Sequence, residues 1–213
     1  MKKRIYQKVA LTHFRENSSV YIFVIVLFLM GVIFGAVIVN SMSFTQKEDL
    51  FYYLSQFFGQ MSDGKESNAH SLFFQSLLHN SKYIGLMWLL GISIIGLPVI
   101  LILLFMKGMV IGFTVGFLVN QMQWKGFLLS FVSILPQNII IIPIFIVMAT
   151  ITITFSIQMV RRQFMKKIST PMLPLLSKYF VTLLVAIVCI SVAAAVEAYL
   201  SPTLLKAVIG TIK

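Results

Sequence analysis

Residues 126–160 read GFLLSFVSILPQNIIIIPIFIVMATITITFSIQMV, a run without a single charged side chain. As one straight α-helix this run would be about 52 Å long, whereas the hydrocarbon core of a bilayer is about 30 Å thick. The run is therefore too long for one straight span and too apolar for the surface of a soluble domain. It predicts a membrane helix that is broken along its length.

Two prolines and two neighbouring amides mark the place of the break. Pro136 has no backbone N–H and disfavours helix at the residue before it. The amides of Gln137 and Asn138 can hydrogen-bond the backbone groups that the break leaves free. Non-helical backbone persists at membrane depth only where protein or a water-filled cavity surrounds it. We expect three pieces: a half-helix over 126–135, a break at 136–138, and a spanning helix over 138–160 that is kinked at Pro143.

The composition of the whole chain agrees with a membrane protein. The 213 residues are 59% hydrophobic and only 11% charged, and the mean hydropathy is +0.95. Soluble domains are about 45–50% apolar and about 25% charged. Further apolar runs of spanning length predict four more transmembrane helices, over 20–40, 83–106, 108–122 and 179–200. The fold class predicted is an all-α polytopic membrane protein with about five transmembrane helices plus a broken or re-entrant half-helix.

The placement of charge predicts the orientation of these spans. Residues 1–19, expected to form a basic helix, and the loop 161–178 are rich in Lys and Arg, which places both on the cytoplasmic side. We expect the loop 41–82 and the tail 201–213 to be extracytoplasmic, so that the N-terminus is inside and the C-terminus outside. Lys107 is expected at a very short inner turn between the second and third spans. The net charge of +11 is thus a topology signal that also suits anionic membrane lipids, and we expect no nucleic-acid partner.

The loop 41–82 is the only sizeable segment expected outside the lipid. Leu50, Leu54 and either Phe57 or Phe58 follow the spacing of one helix face. The same spacing recurs at Leu72, Phe73, Leu77 and Leu78. We therefore expect two short amphipathic helices, which would lie on the outer membrane surface or against the spans or provide a docking surface for extracytoplasmic partners. The spacing leaves both interpretations open.

Glycines recur at the spacing that allows close helix packing in lipid. The first span contains MGVIFGA at 30–36, and the third contains KGMVIGFTVG at 107–116. Small residues four apart let helix backbones approach closely, within one chain or between two copies. We expect helix packing or a homodimer to use Gly31, Gly35, Gly108, Gly112 and Gly116.

The sequence offers little for catalysis. His70 and His79 share a loop with acidic residues, but the ligand spacings of a zinc site are missing. No ionisable residue falls in the middle of a predicted span, where it would indicate function by default. Glu197, near the outer end of the last span, could reach water or accept hydrogen bonds from a neighbouring chain. We therefore expect no catalytic residues, no metal and no cofactor.

These segments together resemble the stage II sporulation protein M family. The resemblance covers nearly the whole chain: the basic start, MGVIFGA, KGMVIGFTVG, the broken helix, and EAYLSP at 197–202. In the family the break commonly carries a histidine, a glycine and an acid between two prolines. Here Pro136 and Pro143 match, whereas the other three positions hold Gln137, Asn138 and Ile141. Near the C-terminus, Glu197 and Pro202 match the family pattern.

The resemblance implies a function as well as an architecture. It implies a non-enzymatic scaffold at the septal membrane of the mother cell that recruits and localises peptidoglycan hydrolases, stage II sporulation proteins D and P, during engulfment in endospore formation. The residues suggested for partner contact are Leu50, Leu54, Phe57, Phe58, Glu197 and Pro202. The alternative is a transporter or permease-like subunit with a pathway at the 136–138 break. Because Gln137, Asn138 and Ile141 do not titrate, any ion chemistry of the family's break is not expected here.

Overall fold

The computed structural model describes residues 15–62, 69–93, 95–165 and 172–201. The described residues form helices joined by short turns, with no strand among them. The helices are α1 Ser18–Ser41, α2 Phe44–Ser62, α3 Ala69–Gly91, α4 Gly96–Ser133, α5 Leu135–Met165, α6 Met172–Ala195, and the π-helix Val196–Leu200.

Within the described part of the chain, four stretches of helix are long and apolar enough to cross a membrane: Ser18–Ser41, Gly96–Ser133, Leu135–Arg161 and Leu176–Leu200. They confirm the predicted all-α polytopic membrane fold. The basic residues Arg15, Arg161 and Lys178 lie at the same end of the bundle. The start of α1 is close to α5 at this end, because the Thr154 hydroxyl donates to Asn17 Oδ1 at 3.4 Å. We call this the basic end of the bundle, and by the positive-inside rule it faces the cytoplasm.

Helices α1 and α4 run parallel and pack through the predicted glycines. A Cβ atom at most of these positions would overlap backbone of the other helix, so only glycine permits the observed approach. The neighbouring pairs are Gly31 with Phe105, Gly35 with Met109, Gly108 with Phe28, Gly112 with Val32, and Gly116 with Ala36. These glycines therefore pack two helices of the same chain together. They are not available as a contact surface for the expected homodimer.

Helix α3 is a fifth member of the bundle, antiparallel to α6. Near its start Ser76 contacts Glu197, and near its end Trp88 stacks on Tyr179 with ring centroids 5.3 Å apart. The indole Nε1 of Trp88 donates to the Tyr179 carbonyl at 3.1 Å, and the Tyr179 hydroxyl donates to the Trp88 carbonyl at 2.8 Å. Phe155 stacks on the other face of Tyr179 at 4.1 Å. This aromatic stack joins three helices near the basic end.

The predicted second and third spans, 83–106 and 108–122, have the wrong boundaries. Helix α3 already begins at Ala69 and ends at Gly91, and α4 begins at Gly96 and continues through Lys107. The turn between the two helices is tight, since Gly96 packs so closely against the Leu90 carbonyl that no Cβ fits. The chain therefore does not turn at Lys107, which lies within a helix.

The break in the long apolar run also lies elsewhere than predicted. Helix α4 is interrupted at Gln123, where φ is +50°. The residues after it fold back on α4, so that Gly126 and Leu129 contact Leu118. This segment is the re-entrant half-helix, and it ends at Ile134 (φ −101°, ψ −37°). The half-helix therefore ends earlier than the expected residue 135, and α5 begins at Leu135 and extends to Met165, beyond the expected range 138–160 at both ends.

The polar residues of the predicted break are inside the first turn of α5. Pro136 occupies a position where a helix needs no backbone N–H. Asn138 donates to the Ile134 carbonyl twice, from its side-chain amide at 2.7 Å and from its backbone N–H at 3.4 Å. Pro143 lies in the interior of α5 without ending it. The Asn138 amide does bond the backbone at the break, whereas Gln137 faces the side chain of Glu197, and the chain breaks just before Pro136 and not after it.

Adding a methyl group tests the packing of the five glycines between α1 and α4, which we call the glycine seam. We expect Gly112→Ala to lower the free energy of unfolding by about 1–3 kcal/mol, because the added Cβ overlaps the Val32 backbone. Unfolding of the purified protein in mixed micelles, followed by circular dichroism, measures this change. Gly85→Ala is the matched control, since a Cβ there meets nothing within 4 Å. Equal stability of the two variants would contradict the packing.

Candidate functional site: a charge pair inside the helix bundle

Lys107 lies in the middle of the membrane-spanning part of α4. It follows Gly96 by about 16 Å and precedes Gln123 by about 24 Å along the helix. Its ammonium donates a hydrogen bond to Asn80 Oδ1 at 3.1 Å. The same nitrogen lies 5.0 Å from the ring centre of Phe145 and 5.6 Å from that of Tyr83, distances at which a cation is attracted to an aromatic face. The protein thus surrounds this charge with its own groups.

Glu197 lies on the π-helix and faces the bundle. The Ser76 hydroxyl donates to its Oε2. The Gln137 amide also faces this carboxylate, and because a carboxylate only accepts, the amide nitrogen is the atom that faces it. In that orientation it donates to Oε1 at 2.9 Å and also to Oε2. Glu197 is therefore held inside the bundle, where we had expected contact with water or a partner.

Two polar residues of α3 connect these charges. Ser76 and Asn80 are one helical turn apart, and they are 6% and 4% exposed. The Asn80 amide donates to the Ser76 carbonyl at 3.0 Å and to its hydroxyl at 3.5 Å, while its oxygen accepts from Lys107. We call the series Lys107, Asn80, Ser76, Glu197 and Gln137 the polar chain. It joins α3, α4, α5 and the π-helix.

The arrangement balances charge without bringing the ions into direct contact. Removing a charge from water costs several kcal/mol unless an opposite charge and hydrogen bonds compensate. Here one ammonium and one carboxylate cancel, and each has fixed polar partners. The bridging Asn80 amide both donates and accepts but offers no readily titrated group. The polar chain is therefore suited to holding four elements together and poorly suited to passing protons.

Several of the predicted site residues are at or near this site. Gln137 belongs to the polar chain, and Asn138 and the two prolines shape the helix that presents it. Ile141, which stands where the family has an acid, is 2% exposed in the apolar core. The break is therefore not free of titratable groups, because Glu197 arrives from a distant part of the sequence.

The predicted partner-contact residues are distributed differently. Leu54 packs against the cluster of Leu118 and Leu129, and Leu50 is partly buried. The side chains of Phe57 and Phe58, and the whole of Pro202, lie outside the described residues.

Sequence reasoning missed Lys107, Asn80 and Ser76. A signal was present, because Lys107 is the only charge between 83 and 124, in a stretch long enough to continue as helix on both sides. Ser76 and Asn80 have the i, i+4 spacing of one helix face. They were assigned to an outer loop because the polar content of α3 hid its place in the bundle.

A double-mutant cycle tests the polar chain. We expect Lys107→Met or Glu197→Gln alone to cost about 3–5 kcal/mol of unfolding free energy, since each leaves the other charge uncompensated. The double variant should cost less than the sum by about 1 kcal/mol or more. Unfolding in mixed micelles measures all three, and Lys178→Met, at an exposed position, is the control. Costs that add within about 0.5 kcal/mol would show that the charges are not coupled.

Comparison with known proteins identifies the family. A family model described as stage II sporulation protein M matches residues 24–202. No curated protein and no solved structure matches the chain. The matched range includes most of α1, the glycine seam, the re-entrant segment and the whole polar chain. Because the match covers most of the chain, this protein belongs to the stage II sporulation protein M family, and its role is in sporulation.

Proposed function

We propose that this protein is a non-enzymatic membrane scaffold that recruits and localises peptidoglycan hydrolases at the septal membrane for engulfment. The proposed partners are stage II sporulation proteins D and P. Membership of the family supports the sporulation setting. The observation that supports a scaffold is the helix α2, which presents aromatic side chains at the end of the bundle opposite the basic end.

Helix α2 is held at this end by a local cap and one apolar contact. The Ser43 hydroxyl accepts from the Gln46 backbone N–H at 3.3 Å, and the Gln46 side chain accepts from the Ser43 N–H at 3.0 Å. This reciprocal pair starts α2 directly after α1 ends at Ser41. Leu54 then packs beside Leu118 near the far end of α4. Helix α2 therefore begins where α1 leaves the membrane.

The face of α2 that points away from the bundle is aromatic. Tyr52 is 60% exposed and Tyr53 is 69% exposed, whereas Leu50 and Leu54 are partly buried. Tyrosine combines a large apolar ring with a hydroxyl, which suits a protein interface at the membrane surface. We therefore assign partner contact to the tyrosines and a positioning role to the two leucines.

Paired substitution of the tyrosines tests this surface. We expect Tyr52→Ser together with Tyr53→Ser to reduce co-purification of proteins D and P about ten-fold, because exposed aromatic side chains often dominate binding energy. The melting temperature should not change, since both rings are exposed. Tyr52→Phe with Tyr53→Phe is the control and should retain most of the binding. Full co-purification with the serine pair would count against the surface.

A transporter or permease-like subunit is the second candidate, because a carboxylate lies beside the helix break. Against it, the groove of about 440 Å³ at this place is almost entirely apolar. The two polar residues that line this groove donate to backbone carbonyls four residues earlier in the sequence, Ser130 to Gly126 and Asn138 to Ile134. Solute or ion uptake by reconstituted vesicles, lost on Asn138→Leu, would favour the transporter. We expect no uptake by the wild-type protein.

A further inference from the structure

Helix α3 has a second polar face, directed away from the bundle. Gln75, His79 and Lys82 are exposed on this face, with Leu78 and Leu86 between and beside them. We call these five residues the outward stripe. Ser76 and Asn80, by contrast, are buried in the polar chain. The two sets are on different faces of one helix, and the inner set bonds charged side chains, Ser76 to Glu197 and Asn80 to Lys107.

The outward stripe lies at membrane depth. Asn80 contacts Lys107 in the middle of α4, and Lys82 is two residues further along α3. Lys82 precedes Gly91 by nine residues, or about 14 Å. Gly91 lies against Thr152 and Tyr179 at the basic end. Because α1 extends for about 36 Å from that end, Lys82 is well inside the span and not at its edge.

An exposed ammonium at this depth is unfavourable. Charged side chains inside membranes nearly always face a bundle interior or an aqueous cavity and pair with another group. Lys107 follows this rule through Asn80 and the two aromatic rings. Lys82 forms no hydrogen bond or ion pair with any described residue, and its backbone position is too deep for its side chain to reach the headgroups easily. The outward stripe is therefore a surface on which another molecule could compensate the charge of Lys82.

A second copy of the chain does not provide the missing charge. Of the acidic residues in the described part of the chain, Glu197 is the only one that contacts the polar residues inside the bundle. Its carboxylate is already bound by Ser76 and Gln137. A two-fold contact through the stripe would also place one basic face against the same basic face. The covering molecule must therefore be a different protein.

We propose that the outward stripe binds a transmembrane helix of another protein that carries an acidic side chain near the centre of the bilayer. The acid pairs with Lys82, the amide and imidazole of Gln75 and His79 offer further hydrogen bonds, and Leu78 and Leu86 provide apolar contact. The stripe thus adds a binding surface within the membrane to the one proposed outside it. This inference does not depend on the partner being a hydrolase.

Photo-crosslinking in sporulating cells tests the stripe. A photoreactive residue at Leu78 or Leu86, one turn on either side of Lys82, should form adducts with a membrane span of another protein that contains Asp or Glu. The same residue at Ile102, 59% exposed on α4, is the control and should label lipid. Adducts only with lipid, with a second copy of the chain, or with a span without an acid would overturn the proposal.

A charge exchange shows whether Lys82 and the acid recognise each other. We expect Lys82→Glu to lower the adduct yield about ten-fold or more, because like charges repel. Replacing the partner's acid by Lys should restore the yield in the Lys82→Glu background. Lys82→Arg should retain the adduct and Lys82→Gln should lose most of it, with unchanged lipid labelling at Ile102 showing that both variants remain folded. Equal yields for all Lys82 variants, or no restoration by the exchange, would overturn the pairing.

Discussion

The fold depends on the cost of placing an ammonium in the middle of a bilayer. Lys107 is surrounded by an amide and two aromatic faces, and its charge is balanced by Glu197 through Asn80 and Ser76. This requirement fixes the positions of α3, α4, α5 and the π-helix relative to one another. The glycine seam between α1 and α4 adds the first helix to this assembly by close packing of the two backbones. Polar contacts thus connect the inner helices, and close glycine packing attaches α1 to them.

Much of this architecture follows from the sequence, for identifiable reasons. The glycine spacing in α1 and α4 predicts tight packing correctly because no other residue type fits, although the spacing does not say which helices meet. The excess length of 126–160 predicts a break correctly, because no straight helix of that length fits a bilayer. The exact place of the break did not follow, since Pro136 is equally compatible with the first turn of a helix and with an interruption.

The polar chain did not follow from the sequence, because its members come from distant segments and each has a more ordinary explanation by itself. A lone lysine between apolar runs is usually a loop residue, and Ser76 and Asn80 lie in a segment with enough polar residues for an outer loop. Helix α3 was not predicted as a helix of the bundle, because it is polar on two faces. Mean hydropathy does not distinguish a helix with polar side chains towards its neighbours from a helix exposed to water. Only the three-dimensional arrangement shows that the carboxylate of Glu197 lies beside Gln137 at the break.

The order of the polar chain along the sequence has a consequence for synthesis in the cell. Lys107 leaves the ribosome 90 residues before Glu197. When α4 first enters the membrane, its counter-charge has therefore not yet been made. The insertion machinery must accept a lysine at a helix centre at a cost of about 2.5–3.5 kcal/mol, which the apolar remainder of α4 offsets. Until the last helix arrives, the unfinished protein contains an uncompensated charge, and a chain that stops before Glu197 would be expected to be a substrate for membrane quality control.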